Sequence, residues 1–213
     1  MKKISSFLLA VCLLMLAGCG LTTLHPIFTP GDLIMDTHLL GKWENEKTWY
    51  RFDPASQIAL EDIPEKLQKF SSKFYLLTTD KGRNLAFLIK IGDHHFLDVY
   101  PIESEAEKAV DEFFKMHKVR MHTVHRLDYD NPSSFRLQNF EDGYLKDLIR
   151  TKQLRIAYTN VKNSDTNEED IVITASTKEL QQFLSKYGSD MKAYDKEEEK
   201  IFTQRKITRH ATH

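Results

Sequence analysis

Three apolar runs in the middle of the chain, Lys73 to Thr79, Asn84 to Ile91 and His94 to Tyr100, are separated only by Asp80-Lys81-Gly82 and Gly92-Asp93. Such spacing predicts antiparallel strands joined by tight turns. Within Ala86-Phe87-Leu88-Ile89-Lys90-Ile91 and Phe96-Leu97-Asp98-Val99-Tyr100 the apolar residues follow one another almost without alternation, so both faces of these strands should meet apolar neighbours. Upstream, Leu39 to Trp43 and Thr48 to Phe52 read as strands, the second ended by Asp53-Pro54. Downstream, Val119 to Tyr129 and Ser134 to Phe140 form a hairpin about Asp130-Asn131-Pro132, and Gln153 to Thr159 and Asp170 to Ala175 add two further strands.

Helical punctuation falls between these runs. Asp62-Ile63-Pro64-Glu65 suits a helix start, with Asp62 as N-cap and the helix running to about Phe70. Ser104-Glu105-Ala106-Glu107 has capping-box spacing and leads a stripe of Ala106, Val110, Phe113 and Phe114 that ends near Met116. Asp142 to about Thr151 carries Tyr144, Leu145, Leu148 and Ile149 at helical spacing. A second capping box, Ser176-Thr177-Lys178-Glu179, opens a helix with Leu180, Phe183 and Leu184 on one side and Gly188 at its end. The sum is an α+β fold: an antiparallel, strongly curved sheet or β-barrel of about eight strands with several flanking helices.

The first residues follow a different logic. Lys2 and Lys3 precede an apolar run, Ile4 to Leu16, broken only by Ser5 and Ser6. It is shorter than the roughly 20 residues a spanning helix needs and matches the h-region of a secretory signal. The closing Leu16-Ala17-Gly18-Cys19 resembles the lipobox of bacterial lipoproteins. That resemblance implies cleavage between Gly18 and Cys19, a diacylglycerol on the Cys19 thiol and acylation, commonly palmitate, of the new amine. Several acyl chains, each methylene worth about 0.8 kcal/mol, make the anchor effectively permanent. Gly20 stands where an aspartate would favour inner-membrane retention, so the resemblance places the protein in the cell envelope at the outer membrane, facing the periplasm. The domain plan is then a signal peptide over 1–18, a lipidated tether over 19–37 containing Pro26, Pro30 and Gly31, one globular domain over 38–189 and a charged tail over 190–213. Cys12 and Cys19 are the only cysteines, so no disulfide is expected after processing.

Composition narrows the partners and the chemistry. Lys and Arg number 30 against 31 Asp and Glu, which implies neither nucleic acid nor an anionic surface as target. The acidic stretch Asp165 to Asp170 and the run from Asp195 to His213, with Arg205, Lys206 and Arg209, read as solvated segments. There is no G-x-S-x-G elbow, phosphate loop, dinucleotide fingerprint or H-E-x-x-H, so no enzyme and no cofactor is expected. Among nine histidines, His117, His122 and His125 and the pair His94-His95 invite a metal site. Residues three apart on a strand point to opposite faces, which separates His122 from His125, and adjacent His94 and His95 separate likewise. His210 and His213 lie in the tail. Asp98, an acid inside an apolar run, is expected to face water beside Tyr100, and needs a partner if it is instead buried.

Gly41-Lys42-Trp43 resembles the G-x-W motif of lipocalins, where the tryptophan lies across the floor of the barrel at its first strand. The chain is also similar to a group of bacterial lipoproteins through Leu39-Leu40-Gly41-Lys42-Trp43, His95-Phe96-Leu97-Asp98-Val99-Tyr100-Pro101 and Thr174-Ala175-Ser176-Thr177-Lys178-Glu179-Leu180, a resemblance that implies no activity and no site residues. Two functions follow as expectations. In the first, Trp49, Phe87, Ile89 and Phe96 face inward and line a cavity for a small apolar ligand. In the second, the interior is solid and the outer face docks an envelope protein. The membrane is a partner in both, through the N-terminal lipid.

Overall fold

The computed structural model describes residues 20–103, 119–162, 169–196 and 199–204. The expected signal segment and lipobox-like Leu16-Ala17-Gly18-Cys19, the helix expected after Ser104, His117, most of the acidic loop at 163–168, and Arg205, Lys206, Arg209, His210 and His213 lie outside the described residues. In chain order the strands and helices are β1 (Leu21–Thr23), β2 (Gly41–Glu44), β3 (Trp49–Pro54), α1 (Glu65–Gln68), β4 (Tyr75–Thr79), β5 (Gly82–Ile91) and β6 (His94–Pro101). After the undescribed segment come β7 (His122–Asn131), β8 (Ser134–Asn139), α2 (Asp142–Arg150), β9 (Tyr158–Lys162), β10 (Glu169–Ile173), α3 (Thr177–Tyr187) and β11 (Lys200–Gln204).

From β2 to β8 each strand pairs antiparallel with the next. β11 enters between β8 and β2, antiparallel to both, and closes an eight-stranded barrel. Closure satisfies every strand edge within the ring and leaves an interior just wide enough for side chains. Helices α1 to α3 and a few short 3-10 turns lie outside it, so among the described residues the architecture is mostly β. The α+β expectation gives way because the described helices cover part of the barrel wall and form no layer of their own. Asp62 also ends a 3-10 turn, Leu60–Asp62, and does not cap α1, which begins after Pro64.

Two segments assigned by sequence to tether and tail belong to the folded body. β1 pairs antiparallel with the first part of β7, Leu21 opposite Val124 and Thr23 opposite His122, and parallel with β10, which pairs with β9. A three-stranded flap thus branches from the barrel at β7. Past β1, Ile27, Phe28 and Leu33 are buried, and the Ile34 N–H donates to Leu88 O at 2.9 Å. The tail expectation fails at β11, whose Phe202 is fully buried inside the ring. Apolar burial overrides the polar flanks in both cases.

The same strands serve two cores. Inside the ring lie Leu39, Trp43, Phe52, Tyr75, Leu77, Leu88, Leu97, Leu127, Phe135, Leu137 and Phe202. Outside β5 and β6, the N-terminal segment, α2 and α3 bury Phe74, Leu85, Phe87, Ile89 and Phe96 with Ile27, Phe28, Leu148, Leu180, Phe183 and Leu184. Continuous apolar sequence in β5 and β6 is the signature of this double duty, with Leu88 and Leu97 facing inward and their neighbours outward. The capping box of α3 is complete, Ser176 and Glu179 each closing on the other's backbone. Gly188 ends the helix in a right-handed conformation, and a Cβ there would lie 2.6 Å from Phe96 Cζ. Its glycine is required by that close approach, not by a left-handed turn.

Candidate functional site

The barrel lumen is where a carrier would hold its ligand, and β2, β3, β4, β8 and β11 fill it with rings. Trp43 stands at the start of the first barrel strand, as the G-x-W resemblance leads one to expect, and its Nε1 donates to Leu39 O at 2.8 Å. Its ring meets Phe135 edge-on with centroids 4.7 Å apart. Phe135 stacks on Phe202 at 5.2 Å, Phe202 on Tyr50 at 4.5 Å, and Phe52 meets Tyr75 edge-on at 5.7 Å. These are the spacings of a close-packed aromatic core. At the start of β4 the Tyr75 hydroxyl donates to Asp36 O at 3.0 Å, and burial holds that phenol well above its ordinary pKa.

None of the four residues expected to line a cavity points into the lumen. Phe87, Ile89 and Phe96 belong to the outer core, Phe87 stacking on Phe28 with centroids 4.3 Å apart. Trp49 is half-buried on the outer face of β3, with the Lys42 ammonium 5.1 Å from the centre of its ring. The turn between β2 and β3 resets the alternation, so two tryptophans an even number apart point opposite ways. For β5 and β6 both faces are apolar, and sequence alternation therefore cannot tell inward from outward.

Outside the ring, Asp98 is fully buried and does not face water as expected, and its partner is His122. His122 Nδ1 donates to Asp98 Oδ1 at 2.6 Å, and the backbone N–H of Ile27 donates to Asp98 Oδ2 at 3.0 Å. The imidazole sits against the Tyr100 ring at 4.7 Å and near the Phe28 ring at 6.5 Å. A carboxylate that orients a histidine is half of a general-base arrangement. Here the second carboxylate oxygen is taken by a main-chain amide 71 residues away in sequence. The physical result is a polar clasp that fastens the N-terminal segment to the barrel wall.

His125 faces the other way, as strand parity requires. Its Nδ1 lies 2.8 Å from Asn139 Oδ1. Burial pushes its pKa down to about 4, the Asn139 contact opposing and the Lys200 charge adding to the fall. Among the described residues no group of three His, Cys, Asp or Glu side chains is placed to hold a metal ion.

Among the described residues, one concavity is a shallow groove of about 450 Å³ lined by His25, Thr29, Ser176, Thr177, Lys178 and Gln181 at the first turn of α3. Its walls bond to each other: Thr177 Oγ1 donates to Pro26 O at 2.8 Å, and Gln181 Nε2 donates to Ile27 O and to Asp32 Oδ2, both at 3.0 Å. These contacts are further staples on the N-terminal segment. Sequence reasoning had no means to find them, because their partners lie about 150 residues apart.

Comparison with known proteins adds no name to this geometry. No family model matches the chain, and searches of curated proteins and of solved structures find no match either.

Proposed function

We propose that the chain is a cell-envelope lipoprotein, carried at the outer membrane on acyl chains attached to Cys19, whose barrel is a packed scaffold for docking an envelope partner and not a container for an apolar ligand. The observation that supports docking over carriage is the lumen itself. An eight-stranded barrel holds either one small ligand or its own side chains. A ligand pocket needs roughly 300 Å³ or more of apolar space. Here Trp43, Phe52, Tyr75, Phe135 and Phe202 are each fully buried on the lumen side, in ring-to-ring contact. No enzymatic role is proposed, since the Asp98–His122 pair is engaged with main chain and covered by aromatic rings.

Mass spectrometry of molecules extracted with the lipidated protein from its native membrane tests the choice. The docking reading expects no stoichiometric apolar compound, and recovery of one at a fixed ratio to protein overturns it. Replacing Cys19→Ser should release the protein from the envelope pellet. Unchanged fractionation would remove the anchor from the proposal.

A further inference from the structure

The flap ends at β9, which pairs with β10 on one side and with no strand on the other among the described residues. All five residues of β9 are exposed. Its register with β10 runs from Lys162 opposite Glu169 to Tyr158 opposite Ile173 without a shift. Main-chain bonding fixes which groups are spare. The Thr174 N–H donates to Ala157 O at 2.9 Å, whereas Ile173 turns its carbonyl the other way and accepts from the Leu24 N–H at 2.8 Å. Bonding of this kind alternates from residue to residue in an antiparallel ladder. Thr159 and Val161 therefore bond to β10, and Tyr158, Asn160 and Lys162 turn their N–H and C=O groups to solvent along the free edge.

Charge along this stretch has one sign. From Arg150 to Lys162 the chain carries Arg150, Lys152, Arg155 and Lys162 and no acidic residue. Arg150 is paired with Asp147 at 2.9 Å. Lys152, Arg155 and Lys162 are exposed and make no ion pair among the described residues. Glu169, the acid opposite Lys162, accepts from Asn160 Nδ2 at 3.1 Å. Two large apolar side chains of the strand, Tyr158 and Val161, are 42% and 44% exposed. Open edges are ordinarily blunted by proline, a bulge or inward charge. β9 has no proline and no bulge, and its single lysine stands at one end.

We infer that β9 takes an extended, acidic segment of a partner protein as a further strand of the flap. This deepens the docking reading above and rests on it. The outward main-chain groups of Tyr158, Asn160 and Lys162 supply the pairing, as in other cases of strand addition. Lys152, Arg155 and Lys162 supply the choice of partner by drawing carboxylates to the edge. Tyr158 and Val161 lie on opposite faces of β9 and meet alternate side chains of the added strand. A second copy of the chain is the poorer occupant, because two-fold pairing about Asn160 would bring both sets of cations to one seam. β9 lies outside the ring, so the added strand leaves barrel closure and the packed lumen untouched.

The test titrates the full-length chain, purified in detergent, into a fluorescein-labelled peptide of alternating glutamate and valine. Anisotropy should rise to saturation. A lysine–valine peptide, and a glutamate–valine peptide methylated at every amide nitrogen, should not bind. Asn160→Pro removes the central outward N–H and spares the β10 bonds, a change an edge strand tolerates, and should weaken binding about tenfold. Lys162→Glu should weaken it about fivefold. Trp43 emission checks that both variants fold; if Asn160→Pro does not, the methylated peptide and Lys162→Glu decide. Absence of saturable binding, equal binding of the glutamate and lysine peptides, or binding undiminished by Lys162→Glu overturns this inference and leaves docking to another face. A dimer that sediments without peptide and is dissolved by Asn160→Pro gives the edge to a second copy and overturns it as well. The docking reading falls separately, on recovery of an apolar ligand from the lumen.

Discussion

The inner and outer cores share β5 and β6 and differ in almost everything else. Inside, the ring is sealed by main-chain pairing, and its contents are apolar side chains and aromatic rings brought together by neighbouring strands. Outside, the second core is assembled from the N-terminal segment, α2 and α3, and it tolerates a buried carboxylate because His122 and the Ile27 amide satisfy it. The inner core makes the barrel; the outer core decides what is fastened to it.

This division can be broken most severely from inside. Phe135→Ala removes the ring shared by Trp43, Phe52 and Phe202. It should cost about 3–5 kcal/mol in urea unfolding, and a change below 1 kcal/mol would mean the lumen is not packed as described. Asp98→Ala should cost less, about 2–3 kcal/mol, by orphaning the Ile27 amide and His122. Its damage should be local: limited proteolysis should cut faster near Thr29 to Asp32 while Trp43 emission stays native, and coincident loss of both would merge the two cores into one cooperative unit. Titration gives a third probe. His125 has a pKa near 4 in the fold against an ordinary 6.5, so above 6.5 it contributes no pH dependence. As pH falls from 6.5 to 4 the unfolded chain takes up the proton first, and stability should decline by at most about 1.4 kcal/mol per pH unit. His125→Gln should flatten that slope, and an unchanged slope would assign it to other groups. Smallest of all, Ser176→Ala deletes one half of the α3 capping box and should lower stability by about 1 kcal/mol with no effect on the lumen.

Legibility followed the range of the interactions. The β4–β5–β6 meander, the β7–β8 hairpin, α2 and the α3 capping box were readable because strand, turn and cap signals lie within a few residues of one another. Gly41-Lys42-Trp43 also marked the first barrel strand. β1 was not readable: Leu21-Thr22-Thr23 is three residues long among prolines and polar groups, and its partners stand near Thr123 and Val172. β11 was hidden in a charged run, where Phe202 alone supplies its inward anchor. The candidate lining residues were misplaced for another reason. In a strand that is apolar on both sides, composition gives the burial of Phe87, Leu88 and Ile89 and leaves the face undetermined. Asp98 was visible as an acid needing a partner, but only the fold could supply His122 and the Ile27 amide.

β11 has one further consequence. It follows the other seven ring strands in the chain, and it forms both seams of the ring, against β2 on one side and β8 on the other. Until it arrives, those two neighbours present bare hydrogen-bonding edges that invite pairing with other chains. The meander from β2 to β8 can therefore assemble early, yet it stays an open, adhesive sheet until β11 docks.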